Sequence, residues 1–160
     1  MSVLDFLIDE HKLIGKMVST LRKKMEIKDA SLIKRKEVVI DFFKTYADRC
    51  HHGKEEVLFF QKLMQKPMSE EHKKILRELL QEHKEARELV IEFDKTESFE
   101  VLDKLLTLYV KHMEKENNHF FVPALNYLTT DEQIMMEVEF EEFDQQMIHL
   151  KYATLVASFS

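Results

Sequence analysis

The chain has 160 residues, which suits one domain built around one core. Hydrophobic residues make up 44% of it and charged residues 34%, a composition typical of a globular protein in water rather than of a disordered segment. The net charge is −6 and no basic patch is present, which predicts no nucleic-acid partner. No run of about 18 apolar residues occurs, which predicts no membrane span. The single cysteine predicts no internal disulfide and a cytoplasmic location.

Apolar residues recurring at helical spacing, separated by polar turns, predict five helices. Helix 1 begins after Ser2, where Asp5 completes a capping box. Helix 2 runs from near Leu32 to near Met64. The expected boundaries are the turns at 28–31, 66–69 and 96–98, the end of helix 4 near Pro123, and the start of a fifth helix at 129–130.

Four long helices joined by short turns indicate an all-α, up-down-up-down four-helix bundle over residues 1–128. Residues 129–160 are expected to add one C-terminal helix, packed on the bundle or in an oligomer contact. This fifth helix is rich in methionine, phenylalanine and acidic residues, and we see no chemistry on it.

The chain carries an internal repeat. Helices 1 and 3 share the triplet Glu-His-Lys, at 10–12 and at 82–84. Helices 2 and 4 share a longer pattern, since 51–60 aligns without gaps to 112–121 with His, Lys, Glu, Phe and Phe matching. Each helix pair therefore offers one histidine and then His-x-x-x-Glu, which predicts a pseudo-two-fold frame for two metal ions.

Six of these side chains are expected to meet at one level of the bundle. Residues four apart lie on nearly the same helical face, so His51 and Glu55 point the same way, as do His112 and Glu116. Counted from the intervening turns, the histidines of neighbouring helices lie at depths that agree within about 6 Å. Burying these groups together without a cation would be costly, and mixed imidazole and carboxylate ligands suit iron, manganese or zinc. The candidate metal ligands are His11, His51, Glu55, His83, His112 and Glu116.

Other side chains near this level have alternative interpretations. His52 lies about 100° around the helix from His51, and we expect it to be solvated or to hydrogen-bond beside the ligands rather than to bind metal. His119 ends a Glu-x-x-His motif of the ferritin-like kind, but a second copy of that motif is missing. Tyr109 is either a core residue or a phenol near the metals, and Cys50 is expected to be a small core residue.

At these residues the sequence resembles the hemerythrin-like family of His-His-Glu cation-binding domains, over about residues 1–128. The matching features are the segment 50–60, Glu82-His83 with Arg87, the segment 112–123, and His11 as the single histidine of helix 1. The resemblance implies two non-haem iron ions that share two glutamates and an oxo or hydroxo group as bridges. One iron would bind His11 and His51, the other would bind His83 and His112, and the bridging carboxylates would be Glu55 and Glu116.

The chain departs from the oxygen-carrying hemerythrins at two ligand positions. Those proteins place a fifth histidine where this chain has Arg87, and an aspartate five residues after the helix 4 histidine, where this chain has Glu116 at four. The pattern is closer to hemerythrin-like domains with four histidines and two glutamates, including the iron-sensing domain of a eukaryotic ubiquitin ligase. Such a ligand set leaves an open position on each iron, where dioxygen, nitric oxide or peroxide could bind.

Three functions are compatible with this pattern. We expect a binding or sensing protein whose di-iron centre responds to dioxygen, nitric oxide or iron supply. The first alternative is a di-iron enzyme that reduces peroxide or dioxygen, or that donates iron for the repair of iron centres. The second is an inert interaction bundle, which metal content alone would distinguish. A sensor would need a protein partner, and the sequence does not identify one.

Overall fold

The computed structural model describes residues 2–144 and 148–160. Within this part of the chain all regular structure is helical, which confirms the all-α fold, and no helix is long and apolar enough to cross a membrane. Helix α1 (Val3–Glu26) begins as predicted, because the Ser2 hydroxyl accepts the Asp5 N–H and the Asp5 carboxylate accepts the Ser2 N–H. The chain then turns at Lys28, which has a left-handed φ of 52°.

Helix α2 covers residues 31–63 and changes its winding along its length. Its consecutive segments are Ser31–Lys34, Lys36–Asp41, Phe42–His52, Lys54–Phe59 and Phe60–Leu63. Phe42–His52 and Lys54–Phe59 are π-helical, so their backbone hydrogen bonds span five residues instead of four. A π-helix has more residues per turn, so consecutive side chains are separated by a smaller angle than in an α-helix. This winding turns more side chains of α2 toward the bundle axis.

The next two helices begin at serine caps. Helix α3 (Glu70–Thr96) follows Ser69, whose hydroxyl accepts the His72 N–H. Helix α4 covers residues 99–125, in the segments Phe99–Lys115, Glu116–Phe120, which is π-helical, and Phe121–Leu125. Pro123 lies in the first turn of the last segment, where a missing N–H is tolerated, and α4 ends at Leu125, near the proline as predicted.

The four long helices form the predicted bundle, in which α1 and α3 each pack against both α2 and α4. The core consists of two apolar clusters, one toward each end of the bundle. Along α1, His11 lies between Leu7 of one cluster and Ile14 of the other. Along α3, His83 lies in the same way between Leu79 and Ala86. A polar layer therefore divides the apolar core.

The C-terminal region contains two described helices instead of the single helix that the sequence predicted. Helix α5 (Thr130–Phe143) packs on the second half of α2 and on α1, and helix α6 (Ile148–Phe159) packs on α1 and the first half of α2. The predicted helical addition to the bundle is confirmed, and it is divided at Asp144, whose extended backbone, with φ −71° and ψ 110°, ends α5. The part of that expected helix at 145–147 lies outside the described residues.

Candidate metal centre

The six candidate ligands lie together in the polar layer, and each is at most 4% exposed. The α1 and α2 histidines meet through their Nε2 atoms, which are 3.0 Å apart in His11 and His51. The α3 and α4 histidines meet in the same way, with 3.1 Å between the Nε2 atoms of His83 and His112. The structure thus places the four imidazoles in the two pairs that the family resemblance implied.

Each central glutamate contacts one histidine from each pair. Glu55 Oε1 lies 3.5 Å from His51 Nε2 and 3.4 Å from His83 Nε2. Glu116 Oε1 lies 3.2 Å from His11 Nε2 and 3.1 Å from His112 Nε2. Two carboxylates therefore lie between the two imidazole pairs, as bridging carboxylates must.

The electrostatics of the layer favour a bound cation. Among residues 2–144 and 148–160, no oxygen of Glu55 or Glu116 has a partner with hydrogen-bond geometry. Burial raises the pKa of Glu55 well above its usual range, and the charge of Glu116 raises it further. Burial acts on Glu116 in the same direction, but the charge of His112 outweighs it and holds the pKa of Glu116 well below its usual range. A cation between the carboxylates would neutralise both and release protons from the layer.

The imidazoles differ in how readily they lose their proton. Burial lowers the pKa of His51 to about 4, and burial also lowers the pKa of His83. Both rings are therefore neutral near neutral pH. Burial also acts to lower the pKa of His112, but the charge of Glu116 and the hydrogen bond to Glu82 outweigh it and raise the pKa to about 9. His112 must therefore lose a proton before its Nε2 can bind a metal ion.

Each of the four imidazoles is oriented through its other ring nitrogen. Every Nδ1 pairs with an oxygen acceptor at 2.7–2.9 Å, so that Nε2 faces the centre of the layer. Metal-binding histidines typically show this arrangement, because the acceptor fixes the tautomer and the ring orientation. The pairs are His11 with Asn117, His51 with Glu10, His83 with Glu56, and His112 with Glu82.

Sequence reasoning missed these orienting residues, although the internal repeat contains them. Glu10 and Glu82 are the first residues of the two Glu-His-Lys triplets, and each accepts a hydrogen bond from the histidine of the following helix. Asn117 and Glu56 each follow directly after one of the central glutamates, and each pairs with a histidine of another helix. The shared glutamate of the triplets was the signal that could have identified Glu10 and Glu82.

The expected solvated position of His52 is wrong, since this side chain is only 1% exposed. The π-helical winding of α2 brings it inward beside His51. One ligand atom each from His52, Glu55, His83 and His112 lies within 4.8 Å of the others, and a second such group comprises His11, His51, Glu55 and Glu116. The polar layer therefore contains five histidines, and the two groups share Glu55.

Arg87, which stands where oxygen carriers have a histidine, points away from the layer. Its guanidinium pairs with the carboxylates of Asp48 and Glu56. These hydrogen bonds, that of Asp48 first, raise the pKa of Arg87, so it stays charged. Arg87 thus contacts acceptors of the layer and does not face the central atoms.

Two further expectations concern His119 and Tyr109. His119 is exposed, so the ferritin-like Glu-x-x-His alternative is wrong. Tyr109 is buried, and its ring stacks on His52 at 5.8 Å between centroids and packs on Phe43 at 5.2 Å. The interpretation of Tyr109 as a core residue is confirmed, and its ring borders the layer through His52, whereas a role of its phenol at a metal stays a prediction.

A third group of potential metal ligands, next to the layer, already contains a cation. It comprises Glu10, Cys50, Asp144 and His149. The Lys54 ammonium contacts the carboxylates of Glu10 and Asp144 and lies 3.5 Å from Cys50 Sγ. Burial acts to lower the pKa of Lys54, but the charge of Glu10 outweighs it and raises the pKa. Burial also raises the pKa of the Cys50 thiol, so this residue is a protonated core side chain.

A buried layer of imidazoles and carboxylates inside a four-helix bundle defines a metal-binding bundle protein. The family model of the hemerythrin HHE cation-binding domain matches residues 2–124. The chain therefore belongs to the hemerythrin HHE family, a family of cation-binding domains. Searches of curated proteins and of solved structures gave no significant match.

Proposed function

We propose that this protein holds two non-haem iron ions in the polar layer and uses them to bind or sense a small molecule such as dioxygen or nitric oxide, or to respond to iron supply. The observation that carries the proposal is the presence of two Nε2 pairs joined by two buried carboxylates. One ion would bind His11 and His51. The other would bind His83 and His112. Glu55, Glu116 and an oxo or hydroxo group would bridge them.

The distances within the imidazole pairs fit one metal ion per pair. Two nitrogens bound to one ion at about 2.1 Å lie about 3.0–3.4 Å apart, for octahedral to tetrahedral angles. The two Nε2 pairs measure 3.0 and 3.1 Å, so little movement would bring each pair onto one ion. The choice of iron rests on the membership of the hemerythrin HHE family and on the mixed imidazole and carboxylate ligands.

The burial of the layer favours a small ligand. All six candidate ligands are at most 4% exposed, and apolar clusters close the layer on both sides along the bundle. A large substrate could not reach the ions without separating the helices. Dioxygen, nitric oxide and peroxide are small enough to enter through local side-chain motion.

Metal analysis of the full chain, reconstituted with ferrous iron under anaerobic conditions, tests the dinuclear site. We expect two irons per chain and, after exposure to air, near-ultraviolet bands from charge transfer between a bridging oxygen and iron. His51→Ala should abolish the dinuclear centre, whereas His119→Ala, which removes an exposed imidazole, should retain both irons. One iron or none per wild-type chain would contradict the proposal.

Rapid mixing of the reduced protein with dioxygen separates binding from catalysis. A binding or sensing protein should form a complex that persists or releases its ligand under vacuum. Repeated consumption of dioxygen or peroxide with an added electron donor would instead support the alternative, a di-iron enzyme. Iron binding with micromolar or better affinity would exclude the second alternative, an inert interaction bundle.

A further inference from the structure

The polar layer contains a fifth imidazole, that of His52, whose role the proposed function does not explain. Its side chain is 1% exposed, and its ring lies between the rings of His83 and Tyr109. Its Nδ1 lies 3.0 Å from Asp48 Oδ1. Its Nε2 has no hydrogen-bond partner in the part of the chain that the structure describes. An unpaired buried ring nitrogen is costly unless it binds something.

His52 has the same arrangement as the four candidate histidine ligands. In all five, Nδ1 pairs with an oxygen acceptor. Because a carboxylate of Asp48 accepts from Nδ1–H, the neutral ring carries its lone pair on Nε2.

We infer that His52 is a third imidazole ligand of the ion at His83 and His112, an inference that rests on the proposed dinuclear site. One ligand atom of His52 lies within 4.8 Å of those of Glu55, His83 and His112. The rings of His52 and His83 are stacked at 3.7 Å with 15° between their planes. Binding one ion therefore requires the His52 ring to tilt, with Nδ1 remaining on Asp48.

Only one of the two ions would gain this extra imidazole, because the second copy of the repeat has no histidine at the same position. In the alignment of 51–60 with 112–121, the position of His52 is matched by Met113. The ion at His11 and His51 would have two imidazoles, two carboxylate oxygens and the bridging oxygen, and so one open position. The ion at His83 and His112 would gain His52 and have none. A small ligand would then bind at one end, on the ion at His11 and His51, instead of across both ions.

Arg87 positions two of the imidazoles that the ion at His83 and His112 would bind, namely those of His52 and His83. Its guanidinium holds Asp48, which orients His52, and also Glu56, which orients His83. One exposed cation thus fixes two half-buried acceptors. The position that provides an imidazole in oxygen carriers here supports one imidazole of another helix, that of His52, and one of its own helix, that of His83.

X-ray absorption of the iron-reconstituted full chain counts the imidazoles directly. We expect five imidazoles per two irons in the wild type and four in His52→Phe. Phenylalanine keeps a ring between His83 and Tyr109 but has no nitrogen, so this variant separates ligation from stacking. We also expect one of the two irons to bind at least about tenfold more weakly in His52→Phe, since losing only the partner of a ligand typically weakens binding 10–100-fold. His119→Phe is the matched control and should keep wild-type values.

The wild-type count keeps the inference testable even if His52→Phe does not fold. Two irons with four imidazoles in the wild type would overturn the role of His52 and leave the proposed function intact. Fewer than two irons in the wild type would overturn the proposed function itself. A His52→Phe protein with wild-type imidazole count and affinity would show that His52 only stacks. Asp48→Asn, which keeps His52 but weakens its orientation, should lower the affinity of the same ion without lowering the imidazole count.

Discussion

Replacing Lys54 by methionine should destabilise the protein by about 3–5 kcal/mol, the cost of removing one partner from a buried ion pair. The Lys54 side chain is 0% exposed, and it contacts Glu10 and Asp144, which are 1% and 11% exposed. Methionine keeps the apolar stem but leaves these two carboxylates without their cation. Since Glu10 also orients His51, the variant should lose metal affinity as well.

The internal repeat provides the control for this substitution. Lys115 holds the position in α4 that Lys54 holds in α2, but it is 27% exposed and pairs with Glu78 and Glu82 near the surface. Lys115→Met should cost no more than about 1 kcal/mol, because solvent screens such pairs. The same chemical change at two equivalent positions should therefore give clearly different losses.

Urea unfolding followed by circular dichroism measures both losses, on chelator-treated protein so that metal release does not contribute. Burial acts to raise the pKa of Glu10 and of Asp144. At Glu10 the hydrogen bond of His51 and the Lys54 ammonium outweigh burial, and at Asp144 the hydrogen bonds of His149 and Lys54 outweigh it, so both pKa values lie below their usual values. Ionised carboxylates with lowered pKa stabilise the wild type above their unfolded pKa, and this stabilisation is lost as the pH falls through the folded pKa. In Lys54→Met both pKa values rise, so the difference in stability from the wild type should be largest near neutral pH and should narrow as the pH falls toward and below about 4. Equal losses at Lys54 and Lys115, or a difference that does not change with pH, would refute the reasoning.

Three further predictions concern metal binding in the polar layer and the packing at the two glycines. Metal affinity should rise with pH up to about 9, because the raised pKa of His112 means that a proton must leave this ring before metal binds. Calorimetry in buffers of different ionisation enthalpy should show this proton release. No proton release at about pH 7 would contradict the prediction. Glu82→Gln should weaken metal binding by about 10–100-fold in chelator competition, because it alters the acceptor that orients His112, and unchanged affinity would show that this contact is dispensable. Gly53→Ala should stabilise the protein less than Gly15→Ala, because its Cβ would lie 2.8 Å from Cζ at the tip of the Phe143 ring, which must shift. A Cβ at Gly15 meets nothing within 4 Å among the described residues, so Gly15→Ala should stabilise the protein by about 0.5–1 kcal/mol. Equal stability gains in the two variants, measured by thermal unfolding, would show that the Phe143 ring shifts at no cost.

Much of the fold could be predicted from the sequence because the information is local. Helix boundaries depend on caps such as Ser2 with Asp5, and the bundle follows from apolar periodicity and short turns. The six residues now found in one layer could be chosen because i and i+4 spacing, the repeat and distances along the helices require no knowledge of neighbouring helices. The π-helical segments still bring His51 and Glu55 to the same layer.

The tertiary structure decided the features that depend on how helices rotate against one another. An ideal helical phase of about 100° per residue placed His52 on a solvated flank, whereas the π-helical winding of α2 buries it. Winding of this kind depends on which side chains the neighbouring helices accommodate, and periodicity in one helix does not report it.

The repeat marks Glu10 and Glu82, but which groups the partners of the layer contact was beyond the sequence alone. Glu10 meets His51 and Lys54 from another helix, and Asp144 reaches Lys54 only because α5 ends where it does and packs on α2. A sequence shows which residues share a face of their own helix. Which charge on another helix lies opposite that face depends on the packing of the whole bundle, because ionic and hydrogen-bond contacts require a match of a few tenths of an ångström between separate helices.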